Sequence, residues 1–515
     1  MVGVEQVTRR EWSWALVAAA CIVALASLPY VVAWLVTPTG YQYSGLLINP
    51  LDGLSYLAKM GQGAGGAWLF RLPFTSEAHE PVLIYTHYLA LGHLAPGGSP
   101  VKLVGIYHLT RVLAGFALLV AVYGAAAVVT PEIRQRRLIL LFVGLSSGMG
   151  WLTGGAPDLA VPEAITFPSL LVNAHFGLTM LLMLLLIFGI TLAGASRGWW
   201  VIAVVGGGCL TMIQPYAVPV VGLSAGSWVL LQRVRERRWP RISLGRLLVF
   251  GMTALPLLLY FLWVTRTNPR IGAWMAQNVT PSPPIGQWLV GYGLLGPLAA
   301  AGVWQLARHS SPAGRLLLCW LGAQLGMMLL PIALQRRLST GLHMPLAFLA
   351  AIGWYQVVLL RRSARRFKLM TTGLLLIAFP SNLLLMLAGV SAVADRNPHL
   401  VMTDAQWEAM TWLRENIPPE TVVLADEDLG ALVPAWGGGA RVVYGHPFET
   451  LNAQVRLSEI NDFYSGVMTA DEQIDFLRRF GVQIVIVQGD DLLLPPQLET
   501  LRYSDPITIY RVAGM

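Results

Sequence analysis

The sequence predicts an α-helical polytopic membrane protein, with about eleven transmembrane helices followed by a small soluble α/β domain. Three observations predict it. Of 515 residues, 55% are apolar and only 12% charged, and mean hydropathy is +0.59. A soluble chain of this length needs far more charge to cover its surface. The apolar residues come in blocks close to the length of a bilayer-spanning helix. The charge divides abruptly: residues 1–394 hold 27 Lys or Arg against nine acids, a net of +18, whereas residues 395–515 hold eight Arg against 18 acids, a net of −10. Such a break marks a domain boundary, so we expect a transmembrane domain over 1–394 and a soluble domain over 395–515.

The spans are expected at 12–36, 103–129, 138–153, 170–193, 199–213, 216–232, 246–264, 288–306, 315–334, 342–360 and 369–393. The first apolar run follows Arg9 and Arg10, is longer than a signal core and precedes no clear cleavage site, so it reads as an uncleaved span. The fifth and sixth spans meet at Gln214-Pro215, which suits a broken hairpin. The stretch 82–95 is short and rich in His and Tyr, and reads as an interfacial or re-entrant helix. With a cytoplasmic N-terminus, the inner loops hold Arg9 and Arg10, the clusters 134–137, 233–246, 308–315 and 361–368, and Arg197. This is the positive-inside pattern of a cell-membrane protein, and it explains the basic half without nucleic acid. Eleven spans place the C-terminal domain outside the cytoplasm. Cys21, Cys209 and Cys319 lie in apolar blocks without metal-ligand spacing and read as small buried hydrophobes.

Acids are scarce before residue 395, and five of the nine fall in the first two outer loops: Asp52, Glu77, Glu80, Asp158 and Glu163. The first loop, about 37–102, is far longer than a connection requires. Asp52 follows Pro50 at the start of a short predicted helix. Two roles fit it there: a helix-capping acid, or an exposed carboxylate serving as general base or orienting a hydroxyl. Asp158 and Glu163 lie in a loop stiffened by Pro157 and Pro162. They are either a pair that holds a divalent metal or an acceptor, or ordinary solvated charges. Glu77 and Glu80 flank His79 and rank below Asp52 as site candidates. Arg336 and Arg337, in a polar stretch that runs on to His343, suit either an anionic ligand such as a lipid phosphate or headgroup snorkelling. Arg266 and Arg270 suit snorkelling. His108 and Arg111 lie inside the second span and should face the protein interior.

In the C-terminal domain, helices are expected at 404–416, 451–463 and 470–480. Thr403-Asp404 caps the first and Pro418 follows it. Strands are expected at 421–425, 441–444 and 482–487, with 507–512 as an edge strand, which together make a small α/β sandwich. The acid run 426–428 reads as an exposed loop, and the Gly437-Gly438-Gly439 run as a turn rather than a dinucleotide fingerprint. The polar loop 445–450 contains His446 and Glu449.

The layout of a first span, a large outer loop with an early acid in Asp52-Gly53-Leu54-Ser55-Tyr56-Leu57, and a second outer loop with another acid resembles the GT-C superfamily of integral membrane glycosyltransferases. It looks most like the bacterial protein mannosyltransferases and lipid A aminoarabinose transferases. The resemblance covers about residues 10–390. It implies a GT-C-like fold and inverting transfer of a sugar, as by a hexosyltransferase, from a polyprenyl-phosphate donor to an extracytoplasmic hydroxyl of a glycan, lipid or protein acceptor. Asp52 matches the first-loop catalytic acid, and Asp158, or in its place Glu163, the second-loop acid. Glu80, Glu163, Arg336, Arg337 and His343 become candidate substrate contacts. In some members a divalent cation takes part, so Mg or Mn on Asp52 and Asp158 is the candidate cofactor. The tryptophan-aspartate-aspartate motif of oligosaccharyltransferases is absent, which argues against N-glycosylation. Two rivals from other classes are a transporter or flippase of a lipid-linked intermediate, and a non-catalytic membrane scaffold whose external domain binds a partner.

Overall fold

Apolar blocks with few helix breakers become helices, and the breaks fall at Pro, Gly and polar residues. The computed structural model describes residues 7–308, 311–358, 363–489 and 494–513. Of the basic inner-loop residues, Arg361 and Arg362 lie outside the described residues. In chain order the first half contains α1 (Arg9–Val36), β1 (Tyr41–Tyr43), α2 (Pro50–Ala64), α3 (Thr86–Gly92), α4 (Pro100–Val129), α5 (Ile133–Leu145), α6 (Pro157–Ala160), α7 (Thr166–Leu171), α8 (Ala174–Thr191), α9 (Arg197–Ile213), α10 (Ala217–Glu236) and α11 (Arg241–Thr267). Then follow α12 (Pro269–Gln277), α13 (Ile285–Tyr292), α14 (Leu295–Arg308), α15 (Pro312–Met328), α16 (His343–Val358), α17 (Ala364–Ala378) and α18 (Pro380–Ala394).

Among the described residues, six helical segments are long and apolar enough to cross a membrane: α1, α4, α8, α10, α11 and the stretch Gln335–Val358 that ends in α16. Two bent pairs qualify if each is one span, namely α13 with α14, bent by 85°, and α17 with α18, bent by 42°. The protein is therefore a multi-pass membrane protein. Each of the eleven expected spans coincides with a helix or a bent pair. Three of those helices are short: α5 has 13 residues, and α9 and α15 have 17 each. The expected span at 138–153 ends early because the chain leaves the helix at Ser146 and makes a 3-10 turn over Gly150–Leu152. The expected break at Gln214-Pro215 separates α9 from α10.

The chain forms two compact units. The first comprises Met1–Pro29, His108–Tyr260 and Thr280–Ala388, and the second Tyr30–Tyr107, Phe261–Val279 and Gly389–Met515. In the first unit the helices approach through small residues, as is common where lipid replaces water. A Cβ on Gly302 of α14 would strike the Leu349 backbone of α16, and one on Gly353 would strike that of Leu298. Arg111 of α4 is buried as expected, donating to the Leu170 carbonyl (2.7 Å) and to Ser27 (3.2 Å). The cysteines depart from expectation. Cys21 and Cys209 are exposed and Cys319 is half-buried, because the outward faces of these helices meet lipid, where a small apolar thiol costs little.

The second unit joins the first outer loop to the C-terminal domain. That domain contains β2 (Val401–Thr403), α19 (Asp404–Asn416), β3 (Val422–Leu424), α20 (Glu427–Trp436), β4 (Arg441–Val442), α21 (Ala453–Tyr464), α22 (Ala470–Phe480), β5 (Ile484–Gln488), β6 (Leu498–Ser504) and β7 (Ile507–Val512). β1 pairs antiparallel with β2, Gln42 opposite Met402. The other five strands form one sheet in the order β4-β3-β5-β7-β6. β3 is parallel to β4 and β5, while β7 is antiparallel to both β5 and β6. Capping boxes at Thr403 and Thr469 start α19 and α22. The sequence reading differs at two places. Segment 507–512 is an interior strand because β6 covers its far side. The acid run 426–428 begins a helix, with the Asp426 side chain accepting from Leu429 N (2.8 Å) as its N-cap.

Candidate functional site

The candidate site is built from α2. Pro50 occupies its first turn, and Asn49, in the left-handed region at φ 51°, is its N-cap. Asp52 is therefore not the capping residue. It sits in the first turn, where the helix dipole favours a negative charge, and its side chain is 38% exposed. Asp52, Ser55 and Lys59 follow at i, i+3 and i+7, which puts them on one helix face.

That face meets the loop 445–450 of the same unit. Lys59 is completely buried, with its Nζ 2.7 Å from Glu449 Oε1. Ser55 Oγ donates to the same oxygen (2.6 Å), and Lys59 also donates to Ser55 Oγ. Tyr85, Tyr56 and Phe70 surround the ammonium, with ring centroids 4.1, 5.3 and 5.4 Å away, a favourable setting for a desolvated cation. Burial pushes the Glu449 carboxyl up, but the charge of Lys59 and the hydrogen bonds from Lys59 and Ser55 outweigh it. The acid is held below its ordinary range. His446 is buried and its Nε2 stands 3.8 Å from Asp52 Oδ1. Burial lowers its pKa, against the opposing charges of Glu449 and Asp52, so the imidazole is kept neutral.

Glu80, in the same unit, is exposed and lines a surface pocket with Arg71, Ala78, His79 and Arg441. His79 uses both ring nitrogens: Nε2 accepts from Leu72 N (2.9 Å), and Nδ1 donates to the Glu77 carbonyl (2.9 Å). Glu77 itself pairs with Arg456 (3.0 Å).

The other expected site residues belong to the first unit. Asp158 is 1% exposed, and its Oδ2 accepts from Gly150 N (3.0 Å). Its Oδ1 is buried with no hydrogen-bond partner among the described residues. Burial raises its pKa, against hydrogen bonds from Ser381 and from the Gly150 backbone. Glu163 is buried too, 3.2 Å from Arg337 and 3.9 Å from Arg336. The two arginines thus flank an acid that already takes up part of their charge. His343 is fully buried, with Nδ1 against Thr166 Oγ1 (2.9 Å) and Nε2 against Ser146 Oγ (3.2 Å). Among the described residues, no group of three or more His, Cys, Asp or Glu lies close enough to hold a metal ion. Neither Asp52 nor Asp158 belongs to such a group.

The sequence assigns Ser55 and Lys59 no role of their own, and His446 and Glu449 no partners. The available signal was spacing: two polar residues in register with Asp52 on one helix, and a His and a Glu three residues apart in one loop.

No protein-family model matches the sequence, and no curated protein sequence does. Solved structures do resemble the fold. ArnT from Cupriavidus metallidurans bound to undecaprenyl phosphate matches with a TM-score of 0.54 at 14% identity, over 96% of this chain and 98% of that one. The oligosaccharyltransferase of Archaeoglobus fulgidus in its apo form matches with a TM-score of 0.54 at 12% identity, over 91% of this chain and 69% of that one. The archaeal oligosaccharyltransferase AglB from the same organism, in complex with an inhibitory peptide and a dolichol-phosphate, gives 0.53 at 11% identity over 93% and 70%. At these identities the likeness speaks for the fold. The chain shares the overall fold of ArnT and of the archaeal oligosaccharyltransferase.

Proposed function

We infer that the protein transfers a sugar from a polyprenyl-phosphate donor to an extracytoplasmic acceptor hydroxyl, with Asp52 as general base. The observation that carries this reading is the setting of Asp52. A half-exposed carboxylate starts a helix whose next two turns are pinned by the buried Lys59–Glu449 pair, within a fold shared with proteins solved bound to undecaprenyl phosphate and dolichol-phosphate. Asp52 accepts the proton of the acceptor hydroxyl as that oxygen bonds to the anomeric carbon. The bond from that carbon to the phosphate oxygen breaks on the opposite face, giving inversion. The lipid phosphate leaves with the bonding electrons and, being acidic, needs no proton. Arg336 and Arg337 are the proposed contacts for a phosphate, and Glu163 for substrate. Eleven crossings with a cytoplasmic N-terminus, and residues 395–515 as an external domain, complete the proposal.

The test is transfer by the purified full-length protein from a panel of polyprenyl-phosphate sugars. Asp52→Asn keeps the size and removes most of the basicity. It should lower the initial rate about 10²–10⁴-fold, the scale of losing a positioned base, with little change in thermal stability. Transfer at the normal rate by Asp52→Asn would sink the assignment. Loss of folding in that variant would make Asp52 a structural residue instead.

A further inference from the structure

The loop 445–450 is more tightly fixed than a surface turn requires. Gly445 N and His446 N both donate to Thr450 Oγ1 (3.3 and 3.2 Å), and Thr450 N returns to the His446 carbonyl (2.9 Å). Inside this turn, His446 Nδ1 accepts from Phe448 N (3.1 Å) and Glu449 N (3.2 Å). A ring nitrogen that accepts two N–H groups carries no proton, so the proton of the neutral ring is on Nε2. Nε2 is buried and has no hydrogen-bond partner among the described residues. It faces Asp52 Oδ1 at 3.8 Å. Buried donors are almost always paired, so an orphan of this kind asks for a partner that arrives.

We propose that His446 is a positioning residue for Asp52: in the substrate complex its Nε2–H donates to Asp52 Oδ1 and turns Oδ2 toward the acceptor hydroxyl. This rests on the reading of Asp52 given above. A separation of 3.8 Å exceeds a hydrogen bond, but such contacts are often long without substrate and tighten when it binds. Asp52 is the partner free to move, because its side chain is partly exposed in the first turn of α2. The imidazole is not free. It is held by two backbone donors and sits against Phe74, with ring centroids 5.4 Å apart. The charged or titratable groups around it are Glu449, Asp52, Lys59 and His399. Oε1 of Glu449 is already bonded to Lys59 and Ser55, its Oε2 is buried without a hydrogen-bond partner among the described residues, and the ion-pair partner of Nε2 is Asp52. The C-terminal domain then supplies part of the site rather than serving only as an appended binding module.

Two substitutions separate the ring's functions. His446→Asn leaves an oxygen near the place of Nδ1, to receive the backbone N–H groups, and deletes the Nε2 donor. His446→Gln puts an amide donor near the place of Nε2. His446→Asn should lower kcat about 10- to 100-fold, the scale of a misplaced reacting group, with the donor KM unchanged. His446→Gln should recover part of the loss, and His446→Asn should cost nothing further in an Asp52→Asn background. A merely structural His446 would show neither the recovery nor the masking, and that result overturns the proposal.

A second readout needs no activity. Exchange of the imidazole C2 hydrogen, followed by mass spectrometry of the full-length protein, reports the titration of His446. The Asp52 charge favours the imidazolium, so Asp52→Asn should move the midpoint down. A midpoint that moves only in Glu449→Gln assigns the ring to Glu449 and overturns the pairing, as does one that moves in neither variant. If the midpoint shifts as expected but the wild-type protein transfers no sugar from the panel, the pairing stands and the transferase reading fails.

Discussion

Taking a lysine ammonium out of water costs several kcal/mol, and the cost is recovered only if a counter-ion and hydrogen bonds meet it at good geometry. Lys59 has both, in Glu449 and Ser55, and three aromatic rings exclude water around it. The pair also does what an apolar contact does poorly. It accepts one register only, so it fixes α2 rotationally against the loop 445–450 and with it the direction of Asp52. Lys59→Met should leave the Glu449 carboxylate buried without its cation, at a cost of about 3–5 kcal/mol. The measurement is the thermal unfolding midpoint of the detergent-solubilised protein. Adding Glu449→Leu to that variant should return most of the loss, since a buried pair replaced whole by apolar residues is often near neutral. A neutral single variant would show that the pair does not hold this register.

At the scale of elements, α2 owes its position to a close crossing with α3. A Cβ on Gly92 would fall on the Met60 and Ala64 backbones, and one on Gly63 on the Leu89 backbone, so neither glycine has a substitute that fits. Gly92→Ala should destabilise the second unit by about 1–3 kcal/mol through overpacking, and reduce transfer by tilting α2. Gly61→Ala is the control, because a Cβ there meets nothing within 4 Å and alanine is the better helix former. Equal stability of the two variants in a denaturation series would defeat the crossing argument. The same helices show what the sequence could and could not give. α19 was legible from its cap at Thr403-Asp404, and α22 from the helix expected at 470–480. The segment 82–95 contains only the seven residues of α3 as helix, in keeping with its polarity. α20 was hidden because three acids in a row look like a loop and Pro434 sits inside the helix. β6 was hidden because its burial does not alternate. The partnership of Lys59 with Glu449 spans 390 residues of sequence, and no local pattern encodes a contact at that distance.

At the scale of the whole molecule, the side on which the C-terminal domain lies is decided by three short helices. Six long segments and two bent pairs alone would return the chain to the side from which it started. α5, with 13 residues, reaches only about 20 Å, less than the roughly 30 Å of a hydrocarbon core. Its neighbours argue that it crosses nonetheless. Tyr355, near the end of α16, donates to Glu132 just before α5 (3.1 Å), and Ser146, just after α5, meets His343 at the start of α16 (3.2 Å). α5 thus runs antiparallel along the whole of α16. α15 relates to α10 in the same way: Arg315 donates to Gln232 (3.2 Å) at one end. At the other, Gln324 donates to the Thr340 carbonyl (2.7 Å) and Gln214 to its hydroxyl (3.2 Å). α9 starts beside Arg246, which donates to the Ser196 carbonyl (3.4 Å), and ends at that same Gln214. With all three counted as crossings the total is odd, and the proposed cytoplasmic N-terminus then puts the C-terminal domain outside. In a variant lacking Cys21, Cys209 and Cys319, a cysteine introduced by Asp428→Cys, where the native side chain is 52% exposed, should react with an impermeant thiol reagent in intact cells. One introduced by Arg235→Cys, at the basic end of α10, should react only after permeabilisation. If Asp428→Cys also waits for permeabilisation, one of the three short helices does not cross. The C-terminal domain is then cytoplasmic, and Asp52 cannot share an external site with the loop that contains His446.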